Sequence, residues 1–140
     1  MSAANELLTA IHARLTGDAE LLVMIGDDGI RDRLVTGRKL PCVLIGELVS
    51  NDYSTSTERG EEHLVSLEIC FDVGGRRQAQ LVASRLHALL QDVALDLGAY
   101  HLVSLLHLRT QSRREPKTKL YVAELRYRAV TEPPLHSDAT

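Results

Sequence analysis

The side chains here that could do chemistry are six His, two Cys and a scatter of carboxylates, spread over 140 residues. Their spacing argues against each kind of site in turn. There is no His-Glu-x-x-His, no Cys-x-x-Cys and no His pair at i, i+4, so the patterns that aim two metal ligands at one point are missing. His101 and His107 read as sharing a strand face, but six residues of strand hold them about 20 Å apart, too far for one ion. His12 and His87 sit beside the apolar stripes of two helical segments, ordinary amphipathic positions. Cys42 and Cys70 lie in apolar, strand-like runs, where a thiol behaves as a small hydrophobe and stays inert. Gly-x-Ser-x-Gly does not occur. Glu58, Glu61 and Glu62 cluster, but nothing apolar surrounds them to raise a carboxyl pKa. Gly74-Gly75-Arg76-Arg77 opens a helix and could hold an anion, yet the full phosphate-loop and dinucleotide patterns are absent and a plain turn explains it. The residues therefore predict no catalytic group, no metal site and no cofactor.

The charges say more. Residues 1–70 carry 6 basic and 12 acidic groups, whereas residues 71–140 carry 10 basic and 7 acidic. Between Glu47 and Glu68 six acids stand against Arg59 alone, a net of −5. Between Arg109 and Arg128 seven bases stand against Glu115 and Glu124, a net of +5. Equal and opposite segments can attract within one molecule or between identical copies. Nucleic-acid binding through the basic stretch Arg109 to Lys119 is disfavoured, because the whole chain has a formal charge of −3 and no aromatic is interleaved there to stack on bases.

Composition bounds the class. The chain is 44% hydrophobic but only 4% aromatic and lacks Trp, so its core must be Leu, Val, Ile and Ala. With 25% charged residues this excludes a wholly disordered chain and predicts one soluble domain made in a reducing compartment. No apolar run approaches the roughly 20 residues of a membrane span, and Met1 to Glu6 lacks a basic, signal-like start.

The elements that must position these residues follow from periodicity. Leu7, Leu8, Ile11 and Leu15 predict a helix over 3–15, stopped by Gly17 in a left-handed cap. Asp18 is the expected N-cap of a second helix, Ala19 to Ile25, closed by Gly26. Ile30 to Leu34 reads as a short strand, 35–40 as a polar connection, and Cys42 to Leu48 as a buried strand. Val65, Leu67, Ile69 and Phe71 alternate cleanly and predict a half-buried strand over 63–71. Ala79, Val82, Ala83, Leu86, Leu89, Leu90 and Val93 form one helical stripe, with polar residues outside it. Strands follow over 101–109 and 119–131. The stretches 50–62 and 110–118 are polar and aperiodic and read as two long inter-strand loops. The expected fold is α+β, with a four-stranded, mainly antiparallel sheet and helices on one face. The domain should end near residue 132, with 133–140 a flexible tail.

Three blocks carry a resemblance: Leu40-Pro41-Cys42-Val43-Leu44-Ile45-Gly46-Glu47, Asp52 through Gly60-Glu61-Glu62-His63, and Tyr121 to Glu132. In this order, around the helix after Gly75 and the strand from His101, the chain over about 3–132 resembles the tail-terminator or tail-completion proteins of long-tailed phages and gene transfer agents. The resemblance implies a structural virion protein, not an enzyme. It implies a ring of six copies that caps the tail tube, ends its polymerisation and joins it to the head-proximal connector or stopper. Such a protein would be made in the bacterial cytoplasm and sit at the neck of the particle, with DNA passing non-specifically through the hole and no membrane involved. The family offers no catalytic residue to carry over.

A closed ring needs two different patches that meet. The candidate contact residues are Asp52, Glu58, Arg59, Glu61 and Glu62 on the acidic arm, and Arg113, Arg114, Lys117 and Lys119 on the basic arm. Either the arms reach a neighbouring subunit, the lumen or the adjoining rings, or they lie beside one another in a single subunit. An open sheet also allows pairing between subunits through edge strands. The other class left open is a small regulatory or ligand-binding domain, which ligand-induced thermal stabilisation would reveal.

Overall fold

Ser2 begins the first helix. Its hydroxyl accepts the Asn5 N–H at 3.1 Å and caps α1, Ala3–Thr16, whose buried side is Ala3, Leu7, Ile11 and Leu15. In this computed structural model, residues 2–32 and 39–134 are described. Asp18 caps α2, Ala19–Ile25, by accepting the Leu21 N–H at 2.9 Å. The third helix, α3, Arg76–Leu90, buries Ala79, Val82, Leu86, Leu89 and Leu90, and Val93 packs partly buried just beyond its end.

The strands are β1, Ile30–Arg31; β2, Cys42–Asp52; β3, Glu61–Phe71; β4, His101–Arg114; and β5, Tyr121–Glu132. They form one five-stranded sheet in the order β1-β2-β3-β5-β4. β1 is parallel to β2 and every other pairing is antiparallel. Helices α1, α2 and α3 share one core with Val43, Val65, Leu67, Ile69, Phe71, Leu105, Ala123, Leu125, Tyr127 and Ala129. Those alternate positions define the helix-covered face. The opposite face bears a small cluster of Cys42, Leu44, Cys70 and Val122, with charged residues around it.

The structure departs from the sequence reading in three places. The sheet has five strands, not four, and is mixed, because the two residues of β1 join it through Val43 and Leu44. Two residues show no period, so periodicity could not place them in the sheet. Of the strand expected over 30–34, residues 33–34 lie outside the described residues, as do 35–38 of the connection and 135–140 of the tail. The two long loops shrink to 53–60 and 115–120, because β2 and β3 reach Asp52 and Glu61 while β4 and β5 reach Arg114 and Tyr121. A ladder is held by backbone groups, and here it outruns the hydrophobic core that periodicity detects. Gly17 does end α1, but at φ −82°, a right-handed conformation. Handedness does not require glycine there; a Cβ would stand 3.1 Å from the Ala13 carbonyl oxygen, a tight fit that the helix end would have to relax to accept.

One glycine left unread in the sequence is required by packing. A Cβ on Gly29 would fall 2.3 Å from the Ile25 carbonyl oxygen, while the Gly29 carbonyl accepts the Val43 N–H at 2.8 Å. Only a residue without a side chain can bring α2 this close to the sheet edge.

Candidate assembly surfaces

The pairing register fixes where the two charged arms lie. Glu61 pairs with Thr131 at one end of β3, and Phe71 pairs with Tyr121 at the other. The 53–60 tip therefore leaves one end of the sheet and the 115–120 tip leaves the opposite end, about 30 Å away at 3.3 Å per residue. The acidic and basic arms do not lie beside each other in one subunit.

The acidic tip is built by its own hydroxyls. Tyr53 N–H donates to the Gly60 carbonyl at 2.9 Å and Thr55 N–H to that of Glu58 at 2.7 Å. The Thr55 hydroxyl accepts the Glu58 N–H at 2.9 Å, and Asp52 accepts the Ser54 N–H at 3.1 Å. Ser and Thr thus supply partners that the ladder no longer provides. The Ser54 hydroxyl and N–H hold the Asp52 carboxyl below its usual range. Asp52, Glu58, Arg59 and Glu61 are exposed here. Glu62 is half-buried and already engaged: Arg128 donates to it at 2.6 Å, which keeps its carboxyl low, and the Arg128 guanidinium also lies over the Tyr53 ring at 5.0 Å.

At the other end, Glu115 N–H donates to the Leu120 carbonyl at 2.7 Å and Lys119 takes φ +62° to close the turn. Arg114, Lys117 and Lys119 are exposed. Arg113 reaches back to Glu68 at 3.3 Å. Of the nine candidates, Glu62 and Arg113 direct their charge to partners inside their own subunit, and the other seven are carried outward at the two ends. The partners Arg128 and Glu68, and the further pair Arg126–Glu124 at 3.3 Å, escaped the sequence reading because alternation gives a face but not a register.

The residues with chemical potential have structural work. His63 is fully buried, with Nδ1 at 2.7 Å from the Ser50 hydroxyl and Nε2 at 2.9 Å from that of Thr131, so it ties β2, β3 and β5 together. His101 and His107 do not share a face. They pair with Glu132 and Tyr127, and the irregularity between Leu102 and Ser104 inserts one residue and reverses the alternation. His107 instead meets the His87 ring at 5.2 Å and the Tyr127 ring at 5.4 Å. Cys42 and Cys70 are direct cross-strand partners, both buried and both free thiols. Arg76, in the glycine-led helix start, places its guanidinium 6.0 Å from the Tyr121 ring centre. Among the described residues no three His, Cys, Asp or Glu side chains converge where a metal ion could sit, and no helix is long and apolar enough to cross a membrane.

With this geometry in hand, comparison with known proteins is specific. The family model for Tail completion protein gp17 matches residues 9–132. Among solved structures 23 chains match. One belongs to a structure described as the virion of a native gene transfer agent particle. It is 27% identical, superposes with a TM-score of 0.83, and the match covers 94% of this chain and 98% of that one. No curated protein matches.

Proposed function

The chain belongs to the tail completion protein gp17 family, and from that premise we propose that it is a structural component of a phage or gene-transfer-agent particle, sited at the neck. Six copies close into a ring on the head-proximal end of the tail tube, stop its growth and receive the connector or stopper of the head. The protein is made in the bacterial cytoplasm and carries out no catalysis. DNA passes through the hole without sequence recognition.

The observation that carries this reading is the separation of charge along the strands. Asp52, Glu58, Arg59, Glu61 and Glu62 mark one end of the sheet and Arg113, Arg114, Lys117 and Lys119 the other, about 30 Å apart. A subunit that must join two different structures needs two different ends. These ends differ in sign, which favours one partner at each and repels the wrong one. The nine residues are the proposed contact set for the adjoining rings, seven reaching outward and Glu62 and Arg113 bracing the ends through Arg128 and Glu68 of their own subunit. The likeness to a chain of a gene transfer agent virion, over nearly the full length of both, supports the particle setting.

Imaging the neck of the purified particle tests the proposal. Six copies of this chain should appear as a ring between tube and connector. A particle that lacks the chain at that place, or a tail of normal length and normal head attachment when the chain is deleted, would overturn it. Glu58→Lys with Glu61→Lys should abolish joining to one neighbour while leaving the fold intact, since both side chains are exposed.

A further inference from the structure

A ring of this kind, on which the pairing argued from the sheet edges rests, leaves open how one copy holds the next. The two edges of the sheet bear on the question. β4 is the outermost strand on one side. Its first part, His101-Leu102-Val103-Ser104-Leu105-Leu106-His107-Leu108, contains no Lys, Arg, Asp or Glu. Val103, Leu106 and Leu108 are 49%, 51% and 48% exposed. Protein edges are usually guarded by charge or cover, and a long bare apolar one is a pairing surface. The rest of β4 is guarded, by Arg109, Arg113 and Arg114.

On the other side β1 covers β2 only at Val43 and Leu44. Among the described residues no strand lies outside β2 from Ile45 to Asp52. Val49, 44% exposed, stands in this part.

Direction and level both match. β3 is antiparallel to β2, β5 to β3 and β4 to β5, so β4 runs opposite to β2. Two copies set side by side in the same orientation therefore bring β4 of one against β2 of the next as an antiparallel pair, without inverting either copy. Following the register across the sheet, Val49 pairs with Leu64, Leu64 with Arg128, and Arg128 with Leu106. Val49 and Leu106 thus end the same row at opposite edges. The next row on the same face runs from the irregularity holding Gly46 and Glu47, through Ser66 and Arg126, to Arg109. Glu47 and Arg109 are both exposed and, among the described residues, neither has an ion-pair partner.

We infer that copies join edge to edge, Leu102–Arg109 of β4 adding antiparallel to Gly46–Asp52 of β2 in the next copy, with Leu106 against Val49 and Arg109 against Glu47. The occupant of each edge is a second copy of this chain. The contact is heterologous, the kind that closes into a ring, and it leaves both charged ends free for the adjoining structures.

Val49→Cys combined with Leu106→Cys, in assembled tails under mild oxidation, tests the pairing. Directly opposed positions on antiparallel strands hold their Cα atoms about 4.5–5.5 Å apart, inside the Cα separation a disulfide spans. The expected result is a covalent ladder that ends at the ring, with none from either single variant. Glu47→Arg and Arg109→Glu should each lose ring assembly, and together regain it. Amides of 102–109 in the unaltered chain should become protected from hydrogen exchange on assembly, a readout independent of whether any variant folds. Rings at the tube tip with no ladder and no new protection at 102–109 would overturn the edge pairing and leave the capping role standing. Absence of any ring would remove both.

Discussion

Arg85 of α3 grips Asp18, the residue that starts α2, through two hydrogen bonds at 2.8 and 2.6 Å. One carboxylate therefore caps a helix and pins it to another. The Arg85 bonds hold the Asp18 carboxyl below its usual range against the opposing effect of burial. Asp18→Ala should cost about 1–2 kcal/mol through the lost cap. Asp18→Asn, which keeps an accepting oxygen, should cost less. Thermal unfolding of both variants at neutral pH measures the difference. The Asp18 contribution is present above the unfolded carboxyl pKa and is lost as pH falls through the lower folded value.

His63 should make the fold sensitive to mild acid. Burial holds the imidazole below its ordinary value of about 6.5, while Glu61 and Glu62 oppose that shift. The unfolded chain thus takes up a proton that the folded chain refuses. Stability should fall as pH drops from about 6.5 toward the lower folded value, then level off for this group. His63→Gln, measured by denaturant unfolding between pH 5 and 8, should flatten that part of the profile (the pH limits are roughly the span in which His titrates). An unchanged slope would show that His63 does not carry it.

Tyr127 should be improvable. Its hydroxyl is buried and, among the described residues, has no hydrogen-bond partner, and burial pushes its pKa up to about 12. Replacement by Phe removes an unsatisfied polar atom and keeps the ring against His107, so stability should rise by on the order of 1 kcal/mol. A fall in melting temperature would mean that the hydroxyl has a partner in solution.

The thiols should be silent. The Cys42 sulfur, and then burial, push the Cys70 thiol up. The Cys70 hydrogen bond shifts the Cys42 thiol the other way, downward, but both sulfurs are closed off from solvent, so neither cysteine should label with a thiol reagent in the native protein, and both should label after denaturation. Rapid native labelling at either position would contradict the burial of the pair.

What could be read in advance was whatever the core prints on the chain. The stripe from Ala79 to Leu90, the alternation from Val65 to Phe71 and the cap at Asp18 were all legible, because each is a local pattern created by burial or by one hydrogen bond. β1 was legible as a short strand from Ile30 but not as a member of the sheet, since two residues cannot show a period that would give them a face. Ser50, Asn51 and Gln111 read as loop because their strands continue past the core. The candidate site was legible as composition, acidic here and basic there, but not as geometry. That the arms stand at opposite ends depends on Glu61 pairing with Thr131 and Phe71 with Tyr121, and no periodicity encodes a register. Val49 and Leu106 drew no notice for the same reason: an exposed residue becomes meaningful only once its row is known.

The face without helices has a quieter consequence. Glu62, Glu68 and Glu124 each hold an arginine at 2.6 to 3.3 Å. Seen from a few ångströms away, such pairs are short dipoles, whose pull dies off faster with distance than that of a lone charge. A long anionic polymer drawn across this wall would find little to cling to and little to push against. It would slide.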